Sequence, residues 1–370
     1  MLLQQNQAPA TQTGMPGHPG PPQLANPFAK AAREHVELIF DVSRVPSAAI
    51  SSLGNGVLEV PAYGYLRHLV FLVESTGGAG AAVVAADAPW NILTDVALTD
   101  VNGQFIFGPY TGFEMYLVHL FGGYNFDPDP TRSPAYSAPD TGGNFSFLLR
   151  LPCEITGTDG LGALANQNAS STFKVRLSLN STTAVFTTAP TTLPTVRVRC
   201  YLEAWTQPNA TDSLGVPNQL TPPALGTVQN WSKEDKVINA GSQTPRLSRV
   251  GNALRNIVCV TKDATGARIG TMFPDPINFQ WDGRQLFAVP VKLQRHYMQE
   301  RYGVSAASLP VGVYVFDFTH DADYHCGNEL RQEYLTTTQA SRIELQGVYG
   351  AAGTMTILTN DVLAFADAAL

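Results

Sequence analysis

Charge is scarce in this chain. Asp, Glu, Lys and Arg make up 14% of its 370 residues, and no dense run of Lys or Arg occurs. Contact with a phosphate backbone needs clustered cations that displace counterions, so a net charge of −7 without such a cluster argues against direct nucleic-acid binding. Cysteine is scarce too. Cys153, Cys200, Cys259 and Cys326 are widely scattered and form no CxxC pair. That pattern indicates neither a zinc module nor a disulfide framework, and the four read as small apolar residues or free thiols. No stretch approaches the ~20 apolar residues needed to span a bilayer. The N-terminal segment has no basic region followed by an apolar one, so synthesis in the cytosol is the expectation. Asn-x-Ser/Thr triplets beginning at Asn144, Asn168, Asn180, Asn209 and Asn230 follow from a Ser/Thr/Asn-rich composition. Gly-x-Ser-x-Gly, the Walker loop and His-Glu-x-x-His are all missing, and no residue is assigned a catalytic, cofactor-binding or metal-binding role.

Turn formers are plentiful, with Gly 32 and Pro 26, as in a chain of many short strands. The length allows two domains or one large β domain with a substantial core. Residues 1–30 are rich in Gln, Pro and Gly and cannot bury enough surface to fold alone, which marks a flexible N-terminal arm. From Glu34 onward, apolar or alternating runs recur between Gly, Pro and Asn breaks. Alternation is clearest in Phe173, Val175, Leu177 and Leu179 against Lys174, Arg176 and Ser178, and in Val196 and Val198 against Arg197 and Arg199. One face buried and one wet is what an antiparallel sandwich strand requires.

Several of these runs occur twice in the same order. "LRHLVFLVES" (Leu66 to Ser75) is answered by "LRNIVCVTKD" (Leu254 to Asp263). "NGQFIF" (Asn102 to Phe107) is answered by "DGRQLF" (Asp282 to Phe287), and Asn-Gly and Asp-Gly both favour tight hairpin turns. A helical stretch follows each. In the first, Phe113, Leu117, Leu120 and Phe121 fall on one face, with Thr111 as cap and Gly123 as stop. In the second, Leu293, Tyr297 and Met298 form the face and Gly303 the stop, a residue suited to a left-handed C-cap. Phe113 thus aligns with Leu293 and Leu117 with Tyr297. Weaker echoes pair "LRLPCE" (Leu149 to Glu154) with "FDFTHD" (Phe316 to Asp321), and Val175-Arg176-Leu177 with Ile343-Glu344-Leu345. The first copy also carries a Gly/Ala segment, "TGGAGAAVVAADAPW", with no counterpart in the second. The expected organisation is an arm over 1–30, a first unit over 31–205, a linker over 206–230 and a second unit over 231–370.

Two equal β units, each with about eight strands and an inserted helix, match a jelly roll used twice. With the Gln/Pro-rich arm and "LPVGVYVFDF" (Leu309 to Phe318), the sequence resembles the double jelly-roll major capsid proteins of tectivirus-like viruses. This lineage includes bacteriophages and is related in fold to the adenovirus hexon. The fold class expected is therefore all-β, two tandem eight-stranded jelly rolls with short inserted helices. The resemblance implies a structural subunit of an icosahedral capsid, not an enzyme, whose homotrimers form pseudo-hexagonal capsomers. The partners it implies are other copies of the chain, neighbouring capsomers, minor capsid and vertex proteins and an internal viral membrane, with no direct nucleic acid. The location it implies is the virion shell, assembled in the host cytoplasm. The alternative is a secreted or cytosolic double jelly-roll carbohydrate-binding protein or hydrolase.

Three motifs suggest other chemistry. "THDADYHCG" offers His320, Asp321, Asp323, His325 and Cys326 as metal-ligand types, but it lacks paired zinc spacings and follows a strand where a solvated turn is expected. "GGAGAA" (Gly77 to Ala82) resembles a dinucleotide loop, but Pro89 would cut short the helix that such a loop needs. "DPDP" (Asp127 to Pro130) sets two carboxylates close together, between prolines that favour an extended connector. The aromatic residues Phe145, Phe147, Trp205, Trp281 and Phe287 lie in strand-like runs and are read as core.

Overall fold

Period-two alternation becomes paired sheets in the computed structural model, which describes residues 24–124, 129–155, 157–304, 309–319 and 334–363. In the first half the strands are β1 (Glu34–Arg44), β2 (Ser51–Ser52), β3 (Leu58–Glu59), β4 (Tyr65–Thr76), β5 (Val83–Val84) and β6 (Leu93–Thr99). They continue with β7 (Phe105–Tyr110), β8 (Phe145–Pro152), β9 (Leu164–Ala165), β10 (Lys174–Leu179), β11 (Phe186–Thr188) and β12 (Thr195–Trp205). One sheet runs β1-β12-β4-β8 and the facing sheet runs β2-β10-β6-β7. The second half contains β13 (Gln229–Ile238), β14 (Gly241–Gln243), β15 (Ala253–Lys262), β16 (Ile277–Trp281), β17 (Arg284–Val289), β18 (Val313–Asp317), β19 (Leu335–Thr336), β20 (Ile343–Tyr349) and β21 (Gly353–Val362). Its sheets run β13-β21-β15-β18 and β14-β20-β16-β17, which repeats the first order strand for strand. Each pair of sheets is one roll, so the expected two tandem rolls are present, eight strands lying along the two main paths of each.

The alternating residues go where the period sends them. Val175, Leu177, Leu179, Val196 and Val198 are buried between the first pair of sheets with Leu69, Phe71 and Val73. Ile257, Cys259, Phe279, Ile343 and Leu345 do the same in the second roll. Ladder registers also test the repeat. The match of β4 with β15 is in register, whereas the two weaker echoes fall in equivalent strands but slip by two residues. Pro152 and Asp317 are the true counterparts, since each lies opposite the third residue of the repeated block, His68 or Asn256. Likewise Val175 faces Leu98 where Leu345 faces Phe279. A slip of two keeps every side chain on its proper face, so the hydrophobic pattern could not detect it.

Among the described residues there are four α-helices: α1 (Phe28–Ala31) before the first strand, and α2 (Gly112–Phe121), α3 (Thr182–Val185) and α4 (Val291–Tyr302) between strands. Thr111 caps α2 as expected, in a full capping box with Glu114. The C-cap is Gly122 in a right-handed conformation, and the left-handed turn comes one residue later, at Gly123 with φ 69°. Every residue of α2 is buried, so the expected single apolar face is replaced by burial all round. In α4 the buried residues are Gln294, Met298 and Tyr302, while the expected core residues Leu293 and Tyr297 are exposed. Gly303 ends α4 at φ 61°, as expected for a left-handed cap.

The two hairpins differ. Asp282 and Gly283 both have positive φ and join β16 to β17 directly. Between β6 and β7 the chain takes a longer loop, in which the Asp100 carboxylate accepts from the Asn102 and Gln104 N–H groups. Among the described residues no helix is long and apolar enough to cross a membrane.

Candidate assembly surface

The repeated Leu-Arg pair marks the same irregularity in both rolls. On β12, Glu203 faces His68 and Ala204 faces Leu66, so Arg67 has no partner in the ladder. On β21, Asn360 faces Asn256 and Asp361 faces Leu254, so Arg255 is likewise passed over. Both arginines sit at a β-bulge, which bends the strand and re-aims a side chain. The bulged carbonyls are used as well: Arg67 O accepts from the Cys153 and Glu154 N–H groups, and Arg255 O accepts from Phe318.

What the two arginines reach is different. Arg255 is buried and donates through Nη1 to the carbonyl of Gly122 at the end of α2, with its guanidinium 5.1 Å from the Tyr124 ring centroid. Asn256 donates to the Phe121 carbonyl at 2.7 Å. A helix C-terminus carries partial negative charge, and a cation there satisfies carbonyls the helix leaves open. Around this point the rolls join. Trp231, Val258, Val260 and Leu358, on the outer face of the second roll's β13-β21-β15-β18 sheet, belong to the same apolar cluster as α2 and the first-roll core. A polar seam borders them. Lys233 Nζ pairs with Glu114 Oε1 at 2.6 Å, and the Tyr110 hydroxyl donates to the Trp231 carbonyl at 2.6 Å. Trp231 Nε1 donates to the Tyr124 hydroxyl at 2.6 Å, which donates to Gln229 Oε1 at 2.7 Å. Burial, reinforced by the Glu114 carboxylate, holds the Tyr110 phenol protonated and so keeps it a donor.

The Gly/Ala segment is part of this joint. β5 pairs with β11, and Arg268 of the second roll donates to Asp87 Oδ1 at 2.5 Å and to the Ala86 carbonyl at 2.9 Å, with its guanidinium over the Phe113 ring. A dinucleotide loop would lead into a helix here; the structure has a strand.

Arg67 instead engages residues of its own roll. It bonds Glu154 Oε2 at 2.6 Å and Glu34 Oε1 at 2.7 Å, and stacks 4.0 Å over Trp205. Glu154, 1% exposed, also accepts from Trp205 Nε1 at 2.7 Å. Burial pushes its carboxyl above the ordinary range, and Arg67 offsets part of that shift. Phe28 of α1 packs edge-on against Trp205 and Tyr65. Asn26 and Phe28 also bond Pro217, Asn218 and Gln219.

Two histidines are buried beside this cluster. Burial, then the charges of Arg150 and Arg67, holds His68 well below its ordinary value, so it is neutral and its 3.6 Å approach to Glu154 is not an ion pair. His119 is lowered to about 3, by burial and then by Arg150. Its Nδ1 accepts the Arg150 N–H at 3.2 Å, on the edge of β8 that no other named strand covers among the described residues. In the second roll Gln294 donates to the Val315 carbonyl at 3.0 Å on the edge of β18. Both inserted helices therefore satisfy a sheet edge that would otherwise be open to pairing.

The motifs singled out in the sequence do not converge. From His320 onward "THDADYHCG" lies outside the described residues, as do Asp127 and Pro128 of "DPDP" and the thiol of Cys326. Asp129 turns its carboxylate onto the Thr131 N–H and hydroxyl. Among the described residues no group of three His, Cys, Asp or Glu is placed to hold a metal. Cys153, Cys200 and Cys259 are buried free thiols. Phe145, Phe147 and Trp205 are core, while Trp281 and Phe287 are only half-buried. Sequence reasoning missed Glu154, Trp231 and the role of both bulge arginines. The available signal was the repeated Leu-Arg itself.

No protein-family model matches the sequence, and no curated protein matches it. Solved structures do. The atomic structure of Sulfolobus Turreted Icosahedral Virus contains a chain 12% identical, with 90% of this chain and 92% of that one covered and a TM-score of 0.59. The major capsid protein P2 from bacteriophage PM2 is 9% identical, with 91% and 100% covered and a TM-score of 0.55. The quasi-atomic model of the PBCV-1 virus capsid gives 12% identity, 91% and 98% coverage and a TM-score of 0.57. At these identities the likeness establishes the fold, which is a double jelly roll.

Proposed function

We propose that this chain is a structural subunit of an icosahedral viral capsid, working as a homotrimer whose six rolls form a pseudo-hexagonal capsomer in the virion shell. The observation that carries the proposal is the joint: two rolls of one topology are locked by a continuous apolar core and a polar seam into one building block. Solved chains of this fold that span the same length include proteins named for viral capsids. A block of two equal rolls lets a threefold molecule fill a sixfold lattice position. The division of labour proposed is an arm over 1–30, rolls over 31–205 and 231–370, and a linker over 206–230. The chain's work is assembly rather than catalysis. Its partners are its own copies, adjoining capsomers, minor and vertex proteins and an internal membrane, without direct contact to nucleic acid.

Light scattering on the purified full chain, followed by electron microscopy of the same sample, tests this. The expected result is the mass of three 39.8 kDa chains and a hexagonal outline. A compact monomer at micromolar concentration would overturn it, because obligate interfaces bury on the order of thousands of Å² and do not dissociate readily.

A further inference from the structure

Residues 209–221 lie on the path from β12 to β13, and none of them is buried. They are folded all the same. Thr211 bridges to Pro217, the Asp212 carboxylate accepts from the Leu214 and Val216 N–H groups, and the Asn218 N–H donates to the Ala210 carbonyl. A segment without apolar burial keeps its place through whatever it is tied to, and several of its ties lead to Asn26 and Phe28, ahead of β1. The Asn26 N–H donates to the Pro217 carbonyl at 2.9 Å, and the Gln219 N–H donates to the Asn26 carbonyl at 3.0 Å. Asn26 Nδ2 reaches Asn218 Oδ1 at 2.8 Å and Asp212 Oδ2 at 3.1 Å, and the Phe28 N–H donates to Gln219 Oε1 at 3.2 Å. Phe28 is the apolar anchor. It is 1% exposed, its ring centroid is 5.1 Å from that of Tyr65 and 6.3 Å from that of Trp205, and a Cβ at Gly160 would lie 2.9 Å from its ring. Trp205 is fixed independently of Phe28, by its Nε1 bond to Glu154 and by the Arg67 guanidinium over its ring. Tyr65 is shared between the two sides: its ring meets Phe28 and its hydroxyl donates to the Leu220 carbonyl at 3.0 Å.

We infer that Asn26-Pro27-Phe28 is a latch: Phe28 seated in its socket holds residues 209–221 in order, and withdrawal of Phe28 releases them while both rolls stay folded. The device works within one copy of the chain and rests on no part of the capsid reading. Its physical basis is a division of labour. The socket supplies the apolar burial that residues 209–221 lack, and the bonds of Asn26 and Gln219 carry that stability across to them. Coupling of this kind is reciprocal, so whatever loosens the 209–221 side loosens the Phe28 side by the same factor. A pull on the chain ahead of Asn26 is thereby passed to the turn that carries Leu214, which is 86% exposed.

The test is hydrogen exchange on the full chain, read by mass spectrometry in peptides covering 24–32, 207–221, β4 and β12. Phe28→Ala should speed exchange over both 24–32 and 207–221 by roughly tenfold or more and leave β4 and β12 unchanged. Gln219→Ala, at an exposed site, should speed exchange over the same two segments to a smaller extent, including the Ala32 N–H that bonds the Phe28 carbonyl. Leu214→Ala, at the exposed tip of the turn, should change neither. If Phe28→Ala frees 24–32 but leaves 207–221 protected, the two segments are fastened independently and the latch is overturned. If β4 and β12 loosen as much as 207–221, Phe28 is ordinary core of the first roll and the latch is overturned as well. Should Phe28→Ala fail to fold, Gln219→Ala decides: unchanged exchange over 24–32 in that variant removes the coupling.

Discussion

Helices α2 and α4 are copies of one element in two environments. α2 is buried on every side because its own roll holds one face and the second roll's outer sheet holds the other. α4 buries Gln294, Met298 and Tyr302 and leaves Leu293 and Tyr297 in solvent. Position in the repeat is the same; what differs is whether a neighbouring roll is present. The lesson is that an apolar side chain can be core in one copy and waiting surface in the other without any change in local pattern.

The sharpest way to break this comparison is to truncate the aligned pair. Leu117→Ala should cost about 2–5 kcal/mol of unfolding free energy in a denaturant titration, as for a fully buried leucine. Tyr297→Ala should change the stability of the isolated chain by no more than about 0.5 kcal/mol, as for an exposed site. Equal losses at both would show that α4 is already packed as α2 is.

Acid should separate the rolls next. His68 and His119 are buried in the first roll with lowered folded values, whereas His296 of the second is exposed. The unfolded chain binds protons at these sites below about pH 6.5 and the folded chain does not, so stability is complete above that value and falls as pH drops towards about 3. Between pH 7 and pH 5 His119 alone should cost about 2 kcal/mol. Glu154 works in the opposite sense. Its raised folded value makes stability fall as pH rises from about 4.5 through that value. Thermal unfolding as a function of pH should show the histidine loss, and His119→Gln should flatten it while keeping an acceptor for the Arg150 N–H. An unchanged slope in that variant would remove His119 as the cause.

The smallest effect belongs to the caps. Thr111→Ala should cost about 1 kcal/mol by leaving the Glu114 N–H without its side-chain acceptor. Helix α4 begins at Pro290 with no side-chain cap, so Pro290→Ala should not show the same loss through capping. A loss at Thr111 no larger than at Pro290 would mean that tertiary packing alone sets the start of α2.

Much of the fold was legible because it rests on local rules. The alternation in β10 and β12, the Thr111 cap, the Gly303 stop and the Asp-Gly hairpin each depend on a few neighbouring residues. The candidate site was legible only in part. Leu293, Tyr297 and Met298 were assigned to one helix face; Met298 is buried as expected, but it shares the inward face with Gln294 and Tyr302, and Leu293 and Tyr297 are exposed. Gln294 was invisible as a core residue because it is polar; it is buried for the sake of the Val315 carbonyl on the open edge of β18. Arg67 and Arg255 were seen as matching letters, yet a bulge is a mismatch between two strands and cannot be read from one of them.

By itself the sequence determined the all-β class, the duplication, the order of the matched strands and the faces of the clearest ones. Each follows from side-chain period and turn chemistry, which act over a few residues. Tertiary structure alone decided that Trp231 on β13 would be covered while Val36 on β1 remained exposed, and that Arg255 would cap a helix while Arg67 anchors Glu154. Those outcomes depend on which surface is brought against which, and the same apolar or cationic side chain serves either purpose until a neighbour arrives.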